Sequence, residues 1–393
     1  MTKKGKLFIV VNVDWFFLSH RKDIALRAQE AGWDVTIVTA DTGKLKDIEA
    51  IGLKVLDLPM SRSGMNIVEE LKTLNWLRKL YKREKPDVVH HVGMKTILWG
   101  TLAAKFSRVK GVVNAISGLG GFFAEDNKGL LSKVMPRVLR FSHKLGKIKA
   151  ESGELRDRLL CIFQNDDDWG LYVKHGIIRH EQGRFIKGSG VSLADFCYTP
   201  EPEEGKMKVS LTARMIVEKG IFLLTEAAER LRSKYGETVE FLLIGGLDDH
   251  PGAITKEQLD AVCDGKYIQW LGYRTDVRDL LKQCHIVAFP SYYMEGLPKS
   301  LIEADAIGRP IITSNSVGCK ETVVDGENGF LIQPKDVDAL TEKLDLLLGD
   351  KELRVRMGKA ARAYAEKYFD IEVVIERHLA IYDELLCNEG RKA

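Results

Sequence analysis

Short apolar runs of strand length alternate with helix-patterned segments along this chain, and that rhythm constrains its fold more than any other feature. KLFIVVNV ends near Val13, DVTIVTA follows the turn at Ala31–Gly32, and LKVLDLP, DVVHHV and GVVNAISG come after it, with helical patterns over Ile67–Glu84 and near Ile97–Phe106 between them. Strands this uniformly apolar are buried on both faces, as in a parallel sheet covered by helices. The chain therefore reads as α/β. In open parallel sheets ligands collect at the carboxyl ends of the strands, which directs attention to the loops at 14–21, 90–95 and 117–123. In the first of these, DWFFLSHR is expected as a loop leading to a helix capped by Ser19.

A chain of 393 residues exceeds the size at which one core stops growing, so two domains are expected. The alternation restarts with MKVSLTA, EFLLIGG and HIVAFPS, which gives two Rossmann-like β/α/β domains. The first is assigned to residues 1–187, joined by the C-terminal helix over about 372–393, and the second to 188–371. Between them, the Pro- and Glu-rich TPEPEEG is consistent with that boundary.

No apolar run is long enough to span a membrane, and MTKKGKLFIVV leads directly into a strand rather than a secretion signal. Six cysteines without a CxxC pair argue against a zinc site or disulfide framework, so the expected location is the cytoplasm. Charge divides unevenly: residues 1–200 hold 33 basic and 22 acidic residues, and 201–393 hold 26 and 34. The basic half should face an anionic partner, for which a lipid surface is expected rather than nucleic acid. From Lys128 to Arg158 nine basic residues are interleaved with leucines, valines and a methionine. This stretch reads equally as a helix lying on anionic headgroups and as one packed on the sheet with a solvated basic face, and Pro136 breaks its pattern.

The densest chemistry lies in YMEGLPKSLIEADAIGRP, residues 293–310. Pro290 stops the preceding strand, Gly296 admits close backbone approach, and Pro298 suits the first turn of a helix that ends at Gly308 and Pro310. Glu295 then falls in the loop and Glu303 in the helix, with a phosphate-suited helix N-terminus between them. Upstream, Arg214 and Lys219 lie five apart in a turn, a spacing that can direct two cations at one diphosphate. Asn165 reads as a helix cap and Asp166, Asp167 and Asp168 as dipole partners, so no metal is expected.

Glu295 and Glu303 in EGLPKSLIE resemble the paired glutamates of glycosyltransferase family 4, retaining enzymes of the two-domain GT-B fold with an interdomain cleft. The resemblance covers nearly the whole chain and is strongest over Arg214–Pro334. It implies that Arg214 and Lys219 bind the donor diphosphate, that Glu295 holds the sugar and that Glu303 holds the ribose. It further assigns base reading to the backbone at Gly272, Tyr273 and Arg274, and donor binding to Gly296, Leu297, Pro298 and Gly318.

Within that family the chain is similar to a subgroup that builds bacterial surface polysaccharides and capsules on lipid carriers. Ser19, His20, Arg21 and Lys95 match it, as does the FQN-x-x-D pattern, and they stand as acceptor-side candidates. Where the subgroup commonly has a histidine this chain has Val92, with His91 next door as a candidate substitute; His90 and His91 also read as structural. SGLGGFF, residues 117–123, reads as an acceptor-side lip at Gly120 or as a glycine turn with Phe122 and Phe123 in the core. The implied reaction moves a hexose or N-acetylhexosamine from a nucleotide donor, UDP-linked by expectation, to a lipid-linked acceptor such as a polyprenyl diphosphate sugar, without a cofactor. The alternatives are a sugar-nucleotide epimerase and a non-catalytic GT-B subunit that binds sugar nucleotide.

Overall fold

The computed structural model describes residues 4–60, 66–107, 109–119, 130–149 and 155–386. The chain divides into two compact units, Met1–Ser189 with Glu372–Ala393, and Gly190–Ile371.

The first unit carries strands β1 (Gly5–Val13), β2 (Trp33–Ala40), β3 (Lys54–Asp57), β4 (Val88–Val92), β5 (Gly111–Ile116), β6 (Lys147–Lys149), β7 (Leu155–Asp157), β8 (Leu159–Phe163) and β9 (Gly183–Phe185). Seven of them form a parallel sheet in the order β3-β2-β1-β4-β5-β8-β9, and β6 and β7 form a separate antiparallel pair. Phe8, Val10, Val89 and Val112 of the sheet pack with Leu77, Leu80 and Tyr81 of helix Ile67–Glu84 and Ile97 of helix Met94–Lys105. Each aliphatic side chain buried this fully contributes roughly 1.5–3 kcal/mol. The last helix, Ile371–Leu386, belongs to this unit: its Tyr382 hydroxyl lies 2.7 Å from His90 Nδ1, and Lys4 pairs with its Asp383.

The second unit carries β10 (Met207–Thr212), β11 (Val239–Ile244), β12 (Ile268–Trp270), β13 (Ile286–Phe289), β14 (Ile311–Ser314) and β15 (Gly329–Ile332). They form a parallel sheet in the order β12-β11-β10-β13-β14-β15. Helix Ile221–Tyr235 buries Leu224, Ala227, Ala228 and Leu231, the spacing of one apolar helical face. In both sheets the order doubles back once, between β1 and β4 and between β10 and β13. The crevice at such a switch point is where a ligand meets the carboxyl ends of the strands.

Local expectations shifted in three places. DWFFLSH is a helix, Asp14–His20, rather than a loop, and Ser19 caps nothing: its hydroxyl donates back to the Trp15 carbonyl at 2.9 Å within the last turn. Helix Leu130–His143 runs through Pro136, because Leu139, fully buried, and partly buried Met135 and Val138 hold both sides of the proline against the core. Pro298 is the N-cap of helix Lys299–Ile307, one residue ahead of its first turn.

Candidate active site

At the β10/β13 switch point, Gly220 closes a 3-10 turn, Val217–Lys219, with φ +83°. An added Cβ there would lie 2.4 Å from the Pro290 carbonyl, so only glycine lets this turn rest against the end of β13. That contact brings Lys219 over the loop that carries Glu295. The Lys219 ammonium donates to Glu295 Oε1, the side chains being 10% and 12% exposed. The Ser291 hydroxyl lies 3.2 Å from the same carboxylate oxygen. Lys219 Nζ also stands 4.9 Å from the centre of the Tyr293 ring, whose face favours a cation.

Gly318, at φ +82°, lies where a Cβ would meet the carbonyls of Gly296 at 2.3 Å and Glu295 at 2.6 Å. The loop after β14 is thereby pressed onto the Glu295–Gly296 backbone. Behind it, burial pushes the Cys319 thiol up to about 12.

Arg214 follows β10 and is held by Asp248, Nη1 to Oδ2 at 2.9 Å. Leu297 packs partly buried beside Ile302, and Pro298 opens the helix. Glu303 lies in that helix 3.9 Å from Lys299 Nζ, and burial pushes its carboxyl up to about 7 against the pull of that lysine. Gly272 takes φ +67°, and its carbonyl accepts from Gly245 N at 2.9 Å. Tyr273 beside it is 79% exposed, and Arg274 is tied to Asp276 at 2.8 Å.

The second unit therefore gathers Lys219, Glu295, Gly296 and Gly318 in direct contact. Sequence reasoning missed Ser291 and Tyr293 beside this group and Asp248 beside Arg214. Signals for them existed: the first two lie in the same PSYYMEG segment as Glu295, and Asp248 follows the double glycine that ends β11.

The first unit sorts its candidates differently. Ser19 is exposed, with its Oγ 2.6 Å from His20 Nδ1, and the His20 ring stacks on Phe16 with centroids 4.1 Å apart. Lys95 pairs with Glu70 at 2.7 Å. Arg21 and His91, expected on the acceptor side, are both buried. Arg21 is 2% exposed and donates to the His20 carbonyl. His91 is fully buried: its Nδ1–H donates to Asn114 Oδ1, which leaves Nε2 to accept from the Tyr81 hydroxyl, each at 2.9 Å. Both of its ring nitrogens are thus engaged within the fold. His90 is likewise buried against Tyr382. Gly120, with Phe122 and Phe123, lies outside the described residues. A residue not anticipated, Asp14, organises this edge by accepting from the backbone N–H groups of Thr42 at 2.7 Å and Lys44 at 2.9 Å. Among the described residues there is no cluster of His, Cys, Asp and Glu able to hold a metal, and no helix long and apolar enough to cross a membrane.

Residues 200–364 match the family model described as glycosyl transferases group 1, and residues 6–146 match glycosyl transferase 4-like. The chain is 29% identical over 359 residues to N,N'-diacetylbacillosaminyl-diphospho-undecaprenol alpha-1,3-N-acetylgalactosaminyltransferase of Campylobacter jejuni, covering 88% of this chain and 89% of the relative. It is 24% identical to UDP-Gal:alpha-D-GlcNAc-diphosphoundecaprenol alpha-1,3-galactosyltransferase of Escherichia coli, covering 91% and 90%. A glycosyltransferase structure from Rickettsia africae superposes with a TM-score of 0.75 at 18% identity, covering 99% of this chain and all of that one.

Proposed function

We propose that this chain, whose residues 200–364 match the group 1 glycosyl transferases and residues 6–146 the glycosyl transferase 4-like model, moves a hexose or N-acetylhexosamine from a UDP-sugar to a lipid-linked diphosphate sugar, with retention at the anomeric carbon. The observation that carries this reading is the Lys219–Glu295 pair at the β10/β13 switch point. It is supported by relatives whose names specify undecaprenyl-diphosphate acceptors and, in one case, a UDP-galactose donor.

In this mechanism the donor diphosphate lies between Arg214 and the Lys219 ammonium, with the N–H groups that open helix Lys299–Ile307 facing its charge. Glu295 orients the sugar hydroxyls, and Lys219 then serves the carboxylate and the diphosphate together. Glu303 accepts from the ribose hydroxyls. The Gly272 backbone reads the base, while Gly318 brings its own backbone to the phosphates. The bond from the anomeric carbon to the diphosphate breaks as the acceptor hydroxyl bonds to that carbon on the same face. The hydroxyl proton passes to the departing phosphate oxygen. Charge on the leaving group is balanced by side chains and helix dipole, so the step needs no metal.

The first unit receives the acceptor, with Lys95 and the Ser19–His20 pair as its candidate contacts. Its basic surface rests on anionic headgroups: Arg137 and Arg140 of helix Leu130–His143 are exposed beside Val134 and Phe141, which are 43% and 55% exposed. Thermal unfolding with UDP, GDP and ADP tests the donor assignment. UDP alone should raise the midpoint, and Arg214→Ala should remove the rise. Equal shifts with all three nucleotides would contradict it.

A further inference from the structure

Helix Ile67–Glu84 buries Thr73, Leu77, Leu80 and Tyr81 against the first unit, yet its first turns expose Ile67 by 75%, Val68 by 61% and Leu71 by 52%. Three large aliphatic side chains this open and this close together exceed the scatter of single apolar residues normal on a protein surface. At 100° per residue, Glu70 lies on the buried flank of this stripe, next around the helix from Ile67. Its Oε1 holds the Lys95 ammonium at 2.7 Å, while Oε2 is buried and accepts no hydrogen bond from the described residues. Lys95 begins the helix that follows β4, just past Gly93. A Cβ on Gly93 would lie 2.9 Å from Asn12 Nδ2, so Asn12 of β1 is pressed against the same turn. Asn12 Oδ1 is likewise buried without a hydrogen-bond partner among the described residues.

The β1/β4 switch point thus presents two unmatched acceptor oxygens and a lysine, flanked by an exposed aliphatic stripe. Unmatched buried acceptors call for a ligand that donates, and sugar hydroxyls do so where a phosphate would be repelled. The lysine supplies positive charge for a diphosphate. An aliphatic stripe gains from burying a hydrocarbon chain. We infer that this corner is the acceptor subsite: Glu70 and Asn12 take hydroxyls of the acceptor sugar, Lys95 faces its diphosphate, and Ile67, Val68 and Leu71 hold the first isoprene units of its lipid. The inference rests on the proposed use of a lipid-linked acceptor and adds the residues that select for the chain and the sugar.

The test is direct binding of two diphosphate-linked sugars that differ only in their lipid, a long polyprenyl chain or a short alkyl chain, measured in detergent beside UDP release. The protein is the full chain, as wild type, Ile67→Ser/Val68→Ser/Leu71→Ser and Glu70→Gln. Wild type should bind the long-chain compound at least tenfold more tightly. The triple variant, altered only at exposed positions, should lose that preference. Glu70→Gln should weaken both compounds alike, and removing the acceptor sugar's hydroxyls should abolish the difference between Glu70→Gln and wild type. An unchanged chain-length preference in the triple variant overturns the inference, including the case where that variant loses only binding to acceptor-free anionic vesicles, which would make the stripe a bilayer contact. Failure of the transferase reading shows separately, as absent UDP release from wild type while the binding differences persist.

Discussion

The Lys219 ammonium meets the Glu295 carboxylate across 76 residues of chain, joining the turn after β10 to the loop after β13. For the proposed diphosphate contact, a cation fixed in this way is already oriented, so little reorganisation would accompany the reaction. Lys219→Ala should lower turnover by about 10²–10³-fold, the usual scale for one preorganised charge-stabilising group. Glu295 loses its cation in that variant but keeps the Ser291 hydroxyl, so the fold should survive with a modestly lower unfolding midpoint. Circular dichroism with steady-state kinetics checks both, and near-normal turnover would remove Lys219 from the mechanism.

The proposed ribose contact of Glu303 gives donor binding a predicted pH dependence. Burial pushes its carboxyl up to about 7, and the ionised form accepts two ribose hydroxyls where the protonated form must donate from one oxygen. Donor affinity should therefore be full above about pH 7 and decline as pH falls through it. Glu303→Gln should bind the donor weakly and without that dependence. Calorimetric titrations from pH 6 to 8 separate this from a pH-independent role.

Gly318 and Gly272 both hold positive φ, but only Gly318 is crowded, with the Gly296 carbonyl 2.3 Å from a would-be Cβ and nothing within 4 Å at Gly272. Gly272→Ala should cost about 1–2 kcal/mol of stability from backbone strain alone. Gly318→Ala adds a collision with the loop that bears Glu295, so it should also reduce donor affinity, by roughly tenfold or more. Equal effects of the two substitutions on donor binding would contradict the proposed role of the Gly318 loop.

Buried histidines set the acid limit of the first unit. Burial pushes His91 and His143 down to about 4 and His378 down to about 3, while an unfolded histidine titrates near 6.5. Between those values the unfolded chain binds more protons, so the stability from these groups is complete above about pH 6.5 and is lost as pH falls toward their folded values. Denaturant unfolding should show a loss on the order of a few kcal/mol between pH 7 and pH 5. A flat profile would mean that these rings are not buried neutral.

Much of this was legible in the sequence because it was written in local pattern. Strand-length apolar runs located β1, β2, β4, β5 and β13, and Asn165 was readable as a cap, its side chain accepting from Asp168 N at 2.8 Å. What escaped depends on contacts between distant segments. Nothing near His91 announces that Tyr81 and Asn114 will occupy both its nitrogens. The Asp14–His20 helix was missed because a seven-residue segment carries little periodicity, and its Asp14 is explained only by the Thr42–Lys44 backbone from the next loop. Pro136 was overweighted because propensity is local, whereas the packing of Leu139 that carries the helix past it is not. At the candidate site, Arg214, Lys219, Glu295 and Glu303 were readable as candidates through the resemblance of their motifs. Asp248, Ser291 and Tyr293 were not, since their places follow from how the turns fold together.

The most direct test of transferase function is release of nucleoside diphosphate from a panel of nucleotide sugars, measured with and without a lipid-linked diphosphate sugar. The expected result is UDP release that depends on the acceptor, with the donor's anomeric configuration kept in the product. Binding of sugar nucleotides without release, across the panel and several lipid acceptors, would contradict it.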